Sequence, residues 1–485
     1  MPSGYNKLFF VFFILTLLFS PRTIIYADTP VQEIYFQKGL DYYYKKMYPQ
    51  AIEEFSKAIN SSPYSPGAYF NRGLSYQRQN RLQEAELDYN RAIELEPDFV
   101  QAYLNRGLLR YEQGAFKEAI SDYNQALFLS PGYTSAYYNR GIAYDYLGNL
   151  EEAITDYSRA INLNPSYAPA YDNRGMAYIK SGFTDEALLD FNESLKLNPS
   201  DSLAYAGKAR VYLLKGDINR AIADYHKAIE LAPDNAGYYS GRAEAYRKSG
   251  KYVLSIADYS RASELKPGDG RIYCDRGNVY QAEGNFDAAI ADYTLAVRAN
   301  PGLADAYYNR GLAYFKKGDT DKAILDYDKA LEANPDMAEA YTNRGIAYAS
   351  GGDIAAAIFD YNQAIKLKPD DADIYFNRGL VYAGNGNYNQ AISDFNRAIK
   401  TDSGCSLCFA NRGIAYAAKE DFERAITDFD RALELDPELA SVYYNRAVAR
   451  YYLRDYEGAR SDIDKAESLG YNVRSELAEE LKAQR

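Results

Sequence analysis

The sequence predicts an all-α protein, an array of antiparallel helix pairs, and three observations predict it. The string Tyr-x-Asn-Arg-Gly, with substitutions, recurs with its first residue at 35, 69, 103, 137, 171, 205, 239, 273, 307, 341, 375, 409 and 443. No insertion breaks this 34-residue period. Each period holds two apolar stripes at helical spacing, and Gly and Pro punctuate it at fixed offsets. A fixed period of this size marks a repeat array, so the length of 485 residues does not imply several separate compact domains.

The chain begins with an address. Lys7 precedes an apolar run from Leu8 to Phe19, and Ala27 closes a small-residue cleavage site before Asp28. Residues 1–27 are therefore expected to be a signal peptide. The apolar run would reach roughly 18 Å as a helix, short of a hydrocarbon core of about 30 Å, which favours cleavage over a membrane anchor. The expected mature chain, 28–485, has no transmembrane span and is exported, to a periplasm or to the medium.

Composition agrees with a folded chain, 47% hydrophobic and 25% charged. It contains 51 Tyr, no Trp and one His, so a single structural slot used many times must ask for Tyr. Net charge is −12; losing residues 1–27 removes Lys7 and Arg22 and no acid, which takes it to −14. Phosphate binding needs the opposite field, so nucleic acid is not an expected partner.

Within each period the first stripe runs as Tyr69, Gly73 and Tyr76, the second as Ala85, Tyr89 and Ala92. Gly inside a helix costs roughly 1 kcal/mol, so its recurrence implies close approach of the paired helix. Gly114, Gly148 and their successors through Gly386 end first helices as left-handed caps. Pro63, Pro97, Pro131 and the later members of that series follow second helices, where a residue without an N–H stops propagation.

A 34-residue unit with these aromatic, Gly, Ala and Pro offsets resembles the tetratricopeptide repeat. The resemblance covers about residues 32 to 470, with the family's usual Trp replaced by Tyr or Phe. It implies a right-handed α-solenoid, or superhelix, with first helices lining the concave face. Thirteen repeats are expected within 28–470, at 32–65, 66–99 and onward by the period to 406–439, then a shorter 440–470. Residues 471–485 read as a C-terminal capping helix, with Ser475 as N-cap and Leu477 and Leu481 covering the last repeat.

The third residue of the string is Asn in nine units: Asn71, Asn105, Asn139, Asn173, Asn309, Asn343, Asn377, Asn411 and Asn445. By resemblance this position looks into the groove, an arrangement similar to the helical arm of O-linked N-acetylglucosamine transferases. An amide can donate to a peptide carbonyl and accept from a peptide N–H, so a ladder of them would grip an extended polypeptide by its backbone. The alternative is that each Asn bonds locally, and residue types alone leave both open. Units six to eight depart from the pattern. They carry Gly207, Gly241 and Asp275 in place of Asn, and Arg210, Glu244 and Asn278 where other units are apolar. Two Asn-lined tracts that bind polypeptide, separated by a segment that does not, are expected.

A basic residue follows the Asn position in every unit, from Lys38 to Arg446, and an acid stands in every second helix, from Glu54 to Asp462. Matched numbers predict salt bridges within a unit or between neighbours rather than a basic groove. The family's two-carboxylate clamp for cytosolic heat-shock chaperone tails is absent, because its positions hold groups such as Phe36, Leu40 and Asn105. Cys405 and Cys408 are expected to form a local disulfide, ahead of free thiols or metal chemistry, and Cys274 to be unpaired. His226 is expected to face outward. No catalytic triad, zinc-ligand set or phosphate loop is present, so no enzyme activity, cofactor or metal is expected. Other proteins or extended polypeptide segments are the expected partners, with possible association with envelope machinery. The rival is an accessory role in envelope polysaccharide assembly or export, motivated by Phe36, Phe70, Tyr138, Tyr308, Phe376 and Tyr444 at a groove position where rings could stack on sugars.

Overall fold

The structure, a computed structural model, describes residues 31–473. The signal peptide expected at 1–27, and all but the first residues of the capping helix expected at 471–485, lie outside the described residues. All regular structure among the described residues is α-helical, twenty-six helices arranged as consecutive antiparallel pairs. The first pair is α1 (Val31–Tyr44) and α2 (Tyr48–Ser61), the second α3 (Pro66–Arg78) and α4 (Leu82–Leu95). The last is α25 (Ala440–Tyr452) and α26 (Tyr456–Ser468). The chain forms two compact units that part between Pro199 and Ser200. Each is a stack of such pairs, an α-solenoid.

The glycine inside most first helices answers to a ring rather than to a backbone. A Cβ on Gly107 would stand 2.6 Å from the ring of Tyr123, and one on Gly73 would stand 2.9 Å from Tyr89. These rings, with Phe55, Tyr157, Phe191, Tyr293 and their counterparts, are the largest fully buried side chains. The flanking alanines of the second helices, such as Ala85 and Ala92, are fully buried and bring the neighbouring helices close. Ala447 replaces the glycine in the last pair, and there the facing ring is replaced by the smaller Ile463.

First helices end in the left-handed conformation the sequence predicts. Gly114 through Gly386 have φ between 72° and 84°. Four units place Lys46, Asn80, Glu420 and Arg454 there instead, at φ of 59° to 67°. A side chain in this region costs about 1–2 kcal/mol. Glu420→Gly is therefore expected to stabilise the second compact unit by about 1 kcal/mol, read as a higher urea midpoint. A lower midpoint would mean that the Glu420 side chain makes compensating contacts.

The Arg–Asp pairs are the second repeating element. Arg140 Nε donates to Asp156 Oδ2 and Nη2 to Oδ1, both at 2.7 Å. Its Nη1 reaches back one unit to Asn124 Oδ1 at 2.6 Å. Tyr137 and Tyr144 lie on the guanidinium at 5.5 and 5.9 Å. The same fork recurs at Arg72–Asp88, Arg174–Asp190, Arg276–Asp292 and onward to Arg446–Asp462, and its third bond lands on Ser56, Ser158, Ser260 and Asp430. Each arginine thus ties its own two helices together and both to the preceding unit. Two units depart from the expected pairing. Lys208 approaches Asp224 only to 3.8 Å. In the first unit Glu54 is taken by Lys57 at 2.6 Å, not by Lys38, because an ammonium lacks the planar fork that spans this gap.

Candidate functional site

Within each compact unit, first helices of successive pairs approach one another, with one exception in the second, while second helices do not, so the first helices form the inner face. The Asn series lies on it. Asn71, Asn105 and Asn411 each donate from Nδ2 to the carbonyl four residues earlier, at 2.7 to 2.8 Å. Asn343 donates to the Glu339 carbonyl and to the Tyr308 hydroxyl of the preceding unit, and Asn173 to the Tyr138 hydroxyl. Asn309 donates to Asn278 Oδ1 at 3.0 Å. The side chains of Asn139, Asn377 and Asn445 make no hydrogen bond among the described residues. Local bonding and an open face therefore coexist. In Asn71, Asn105 and Asn411 one N–H anchors the amide, leaving its second N–H and its Oδ1 for other partners.

The aromatic residues beside them are packing groups. Phe70 lies against Tyr89 and Phe99, with centroids at 5.9 and 5.0 Å, and Tyr138 against Tyr157 and Tyr167 at 6.0 and 5.0 Å. Phe36, Tyr308, Phe376 and Tyr444 likewise meet Phe55, Tyr327, Phe395 and Tyr471. Burial pushes the Tyr138 hydroxyl far above the ordinary tyrosine range. Rings engaged in this way offer little face for a sugar.

The departure in units six to eight has a structural consequence. The helices concerned are α11 (Ser202–Leu214), α12 (Ile218–Leu231), α13 (Ala236–Lys248), α14 (Tyr252–Leu265), α15 (Gly270–Ala282), α16 (Phe286–Ala299) and α17 (Ala304–Lys316). Ala209 and Ala243 occupy the glycine position, so Tyr225 and Tyr259 meet a methyl group where other units leave room. The Tyr225 ring instead leans on the next first helix, where a Cβ on Gly241 would be 2.3 Å from it. Small Ala206, Ser240 and Cys274 stand where most other units carry a bulky groove side chain. The close approach of α11 to α13, and of α15 to α17, is not matched between α13 and α15.

The result is a polar cleft of about 870 Å³. Ser240, Gly241, Glu244 and Arg247 of α13 form one wall, with Arg210 of α11 beyond them and Tyr259 of α14 behind. Asp275, Asn278 and Gln281 of α15 form the other wall, with Asn309 of α17. Arg247 holds Glu244 through two bonds of 2.7 and 2.8 Å. The single hydroxyl proton of Tyr293 in α16 is shared between Asn278 Oδ1 at 2.8 Å and Gln281 Oε1 at 3.2 Å, the shorter bond going to Asn278. Asp275 is exposed to solvent within the cleft, with atoms of the surrounding helices close about it. Burial, and next the Glu244 carboxylate, push its carboxyl up to about 6.

Profiles described as TPR repeat match residues 39–80, 209–250, 243–284, 277–318, 347–386 and 413–453. Others described as tetratricopeptide repeat match 70–134, 134–167, 168–201, 304–337 and 372–405. The chain belongs to the tetratricopeptide repeat family. No curated protein matches it significantly. Among solved structures it is similar to the APC/C hetero-tetramer Cut9-Hcn1, at 16% identity over 94% of this chain and 96% of that one, with a TM-score of 0.45. It is also similar to YrrB, described as a TPR protein with an unusual peptide-binding site. There identity is 26% over 38% of this chain and 95% of that one, with a TM-score of 0.35. A tetratricopeptide repeat protein from Parabacteroides merdae is 24% identical over 51% and 98% of the two chains, with a TM-score of 0.45.

In this tetratricopeptide repeat protein the sequence-predicted Asn residues stay apart, one per unit, and only Asn309 joins the cleft. Ser240, Arg247, Tyr259 and Gln281 were not among the predicted site residues. The signal for them was the alanines at 209 and 243, where most other units carry glycine. Cys405 and Cys408 are bonded at the start of a first helix, with Cα atoms 5.3 Å apart. Cys274 is buried and unpaired, its thiol pushed up to about 12 by burial. His226 is exposed as predicted, but its Nδ1 meets Arg242 Nη1 at 3.0 Å, the place of Ser158 or Asn124 in other units.

Proposed function

We propose that this tetratricopeptide repeat protein is an exported, non-catalytic scaffold that holds extended segments of other proteins along its first-helix face. The observation that carries the reading is the recurrence of half-exposed Asn amides, several anchored by a local bond and still offering a second N–H and a carbonyl. Anchoring fixes the rotamer in advance, so less side-chain entropy is lost when a peptide backbone binds. Backbone-directed contacts of this kind ignore most of the ligand's sequence. The acidic net charge directs the search to proteins rather than nucleic acid, and the apolar run after Lys7 directs it to the envelope or the medium.

The test is a cross-linking pull-down from envelope extract with residues 28–485. It is run beside an Asn105/Asn139/Asn343/Asn377→Ala variant whose helicity by circular dichroism equals that of the wild type. Each lost bond is worth about 0.5–1.5 kcal/mol, so recovery of direct partners should fall at least tenfold. Equal recovery from both proteins would retire the Asn face as the binding surface.

A further inference from the structure

We propose that the polar cleft between α13 and α15 is a pocket for a basic side chain of the bound segment, an ammonium or guanidinium group paired with Asp275. This deepens the reading above and rests on it for the rest of the ligand. It also replaces the expectation that the middle units bind nothing, since these are the units whose inner face opens.

Room is the first argument. Ser240 and Cys274 replace larger side chains, Gly241 carries none, and Tyr225 packs on Gly241 rather than across the opening. The remaining volume exceeds one long side chain, so a stretch of ligand backbone or water shares it. Pockets of this size take whole ligand groups rather than single atoms.

Charge is the second. Of the cleft's ionic groups, Arg247 and Glu244 satisfy one another, and Arg210 is engaged elsewhere, with no ion pair to Asp275 or Glu244 among the described residues. Asp275 makes no hydrogen bond or ion pair among the described residues. It is the one carboxylate left to a ligand, and a second carboxylate, Glu244, faces the same space. An incoming cation would offset both the lost hydration of Asp275 and its repulsion from Glu244. The amides of Asn278 and Gln281, held through their oxygens by Tyr293, keep NH₂ groups for a ligand carbonyl beside that cation.

The arrangement also sets a pH response. Asp275 is faced by Glu244 and Arg247 from α13, Arg210 from α11, Tyr259 from α14 and Tyr293 from α16, with Asp269 and Arg271 at the start of its own helix. The two tyrosine hydroxyls are raised by burial and stay neutral. Cation binding requires the Asp275 carboxylate and a proton competes for it. The preference for a basic side chain is therefore present above pH 6 and lost as pH falls through about 6.

The experiment uses the purified chain and four pools of capped heptapeptides, random except for a central Arg, Lys, Gln or Glu, read by fluorescence anisotropy at pH 7.5 and 5.0. Asp275→Asn is a mild variant, because Asn occupies this position in nine other units. The Arg and Lys pools should bind at least tenfold more tightly than the Gln pool at pH 7.5. That advantage should disappear in Asp275→Asn and at pH 5.0, while the Gln pool loses no affinity on the substitution. Equal binding of all pools, or an advantage that survives Asp275→Asn, overturns the proposal and leaves the peptide-scaffold reading standing. Preference for the Glu pool overturns it in favour of an anion site at Arg210 and Arg247. If no pool binds, the scaffold reading fails and agmatine alone decides the pocket. A thermal shift with agmatine in the wild type and none in Asp275→Asn keeps the cation site, and no shift in either removes it.

Discussion

Asp156→Ala is expected to destabilise the first compact unit by about 3 kcal/mol, and Arg140→Met/Asp156→Leu by less than half as much. Asp156 is 4% exposed and accepts both arms of the Arg140 fork. Removing the carboxylate alone leaves a guanidinium half-buried between Tyr137 and Tyr144 with only Asn124 to answer it. Removing both partners leaves an apolar contact of similar volume, which costs less. The direction of the carboxyl's titration supports the same account. Burial pushes Asp156 up despite Arg140, so the folded chain binds this proton more readily than the unfolded chain does. Protonation of Asp156 on acidification through the carboxylate range therefore removes no stability on its account. The pair sets which helices meet more than how tightly. Because unfolding of a repeat array is rarely all-or-none, the readout is hydrogen exchange in α7 (Thr134–Tyr146) and α8 (Leu150–Leu163) alongside urea melts. A double variant as unstable as the single one would show that the ion pair itself holds these helices.

Much of this molecule is legible in one sequence because its parts repeat. The period placed every helix pair, the recurring Gly marked where paired helices meet although the group it faces is a ring rather than a backbone, and equal counts of bases and acids foretold the ion pairs. Where a single unit deviates, the same reasoning weakens. Lys38 reads like its arginine counterparts until geometry shows that Lys57 has taken Glu54. The cleft was half visible. Gly207, Gly241, Asp275 and Arg210 mark the middle units as unlike the rest, but their offsets alone suggested a gap in a binding surface. The cavity depends on a coupling across units, in which an alanine in one first helix sends a tyrosine of the same unit toward the next. No pattern confined to one period contains that relation. The Asn face was legible in position and ambiguous in bonding, because an amide has valences enough for both its own helix and a guest.

That coupling gives the second large effect, centred on Gly107. Gly107→Ala puts a Cβ 2.6 Å from the buried Tyr123 ring. Overlap of this kind costs about 3 kcal/mol, and the better helix propensity of Ala returns about 1, for a net loss of about 2 kcal/mol. In unit six the corresponding tyrosine escapes because Gly241 offers it room one unit on. Tyr123 has no such exit, since Asn139 fills the equivalent place. Gly107→Ala/Asn139→Gly is therefore expected to recover more than half of the loss. The double variant rebuilds the arrangement of Ala209, Tyr225 and Gly241 in the first compact unit. Gly107→Ala/Tyr123→Ile should also recover, by the different route the chain itself uses at Ala447 and Ile463. Urea midpoints of the three variants separate the two mechanisms. Rescue by Tyr123→Ile without rescue by Asn139→Gly would mean that the overlap is real but the ring cannot cross to the next helix. Around Tyr259, whose neighbour at that offset is Asp275 rather than glycine, the room comes from the wider spacing of α13 and α15. One small substitution in a first helix can thus be absorbed either by a glycine in the next unit or by parting two helices, and the second solution is the one that leaves a cleft.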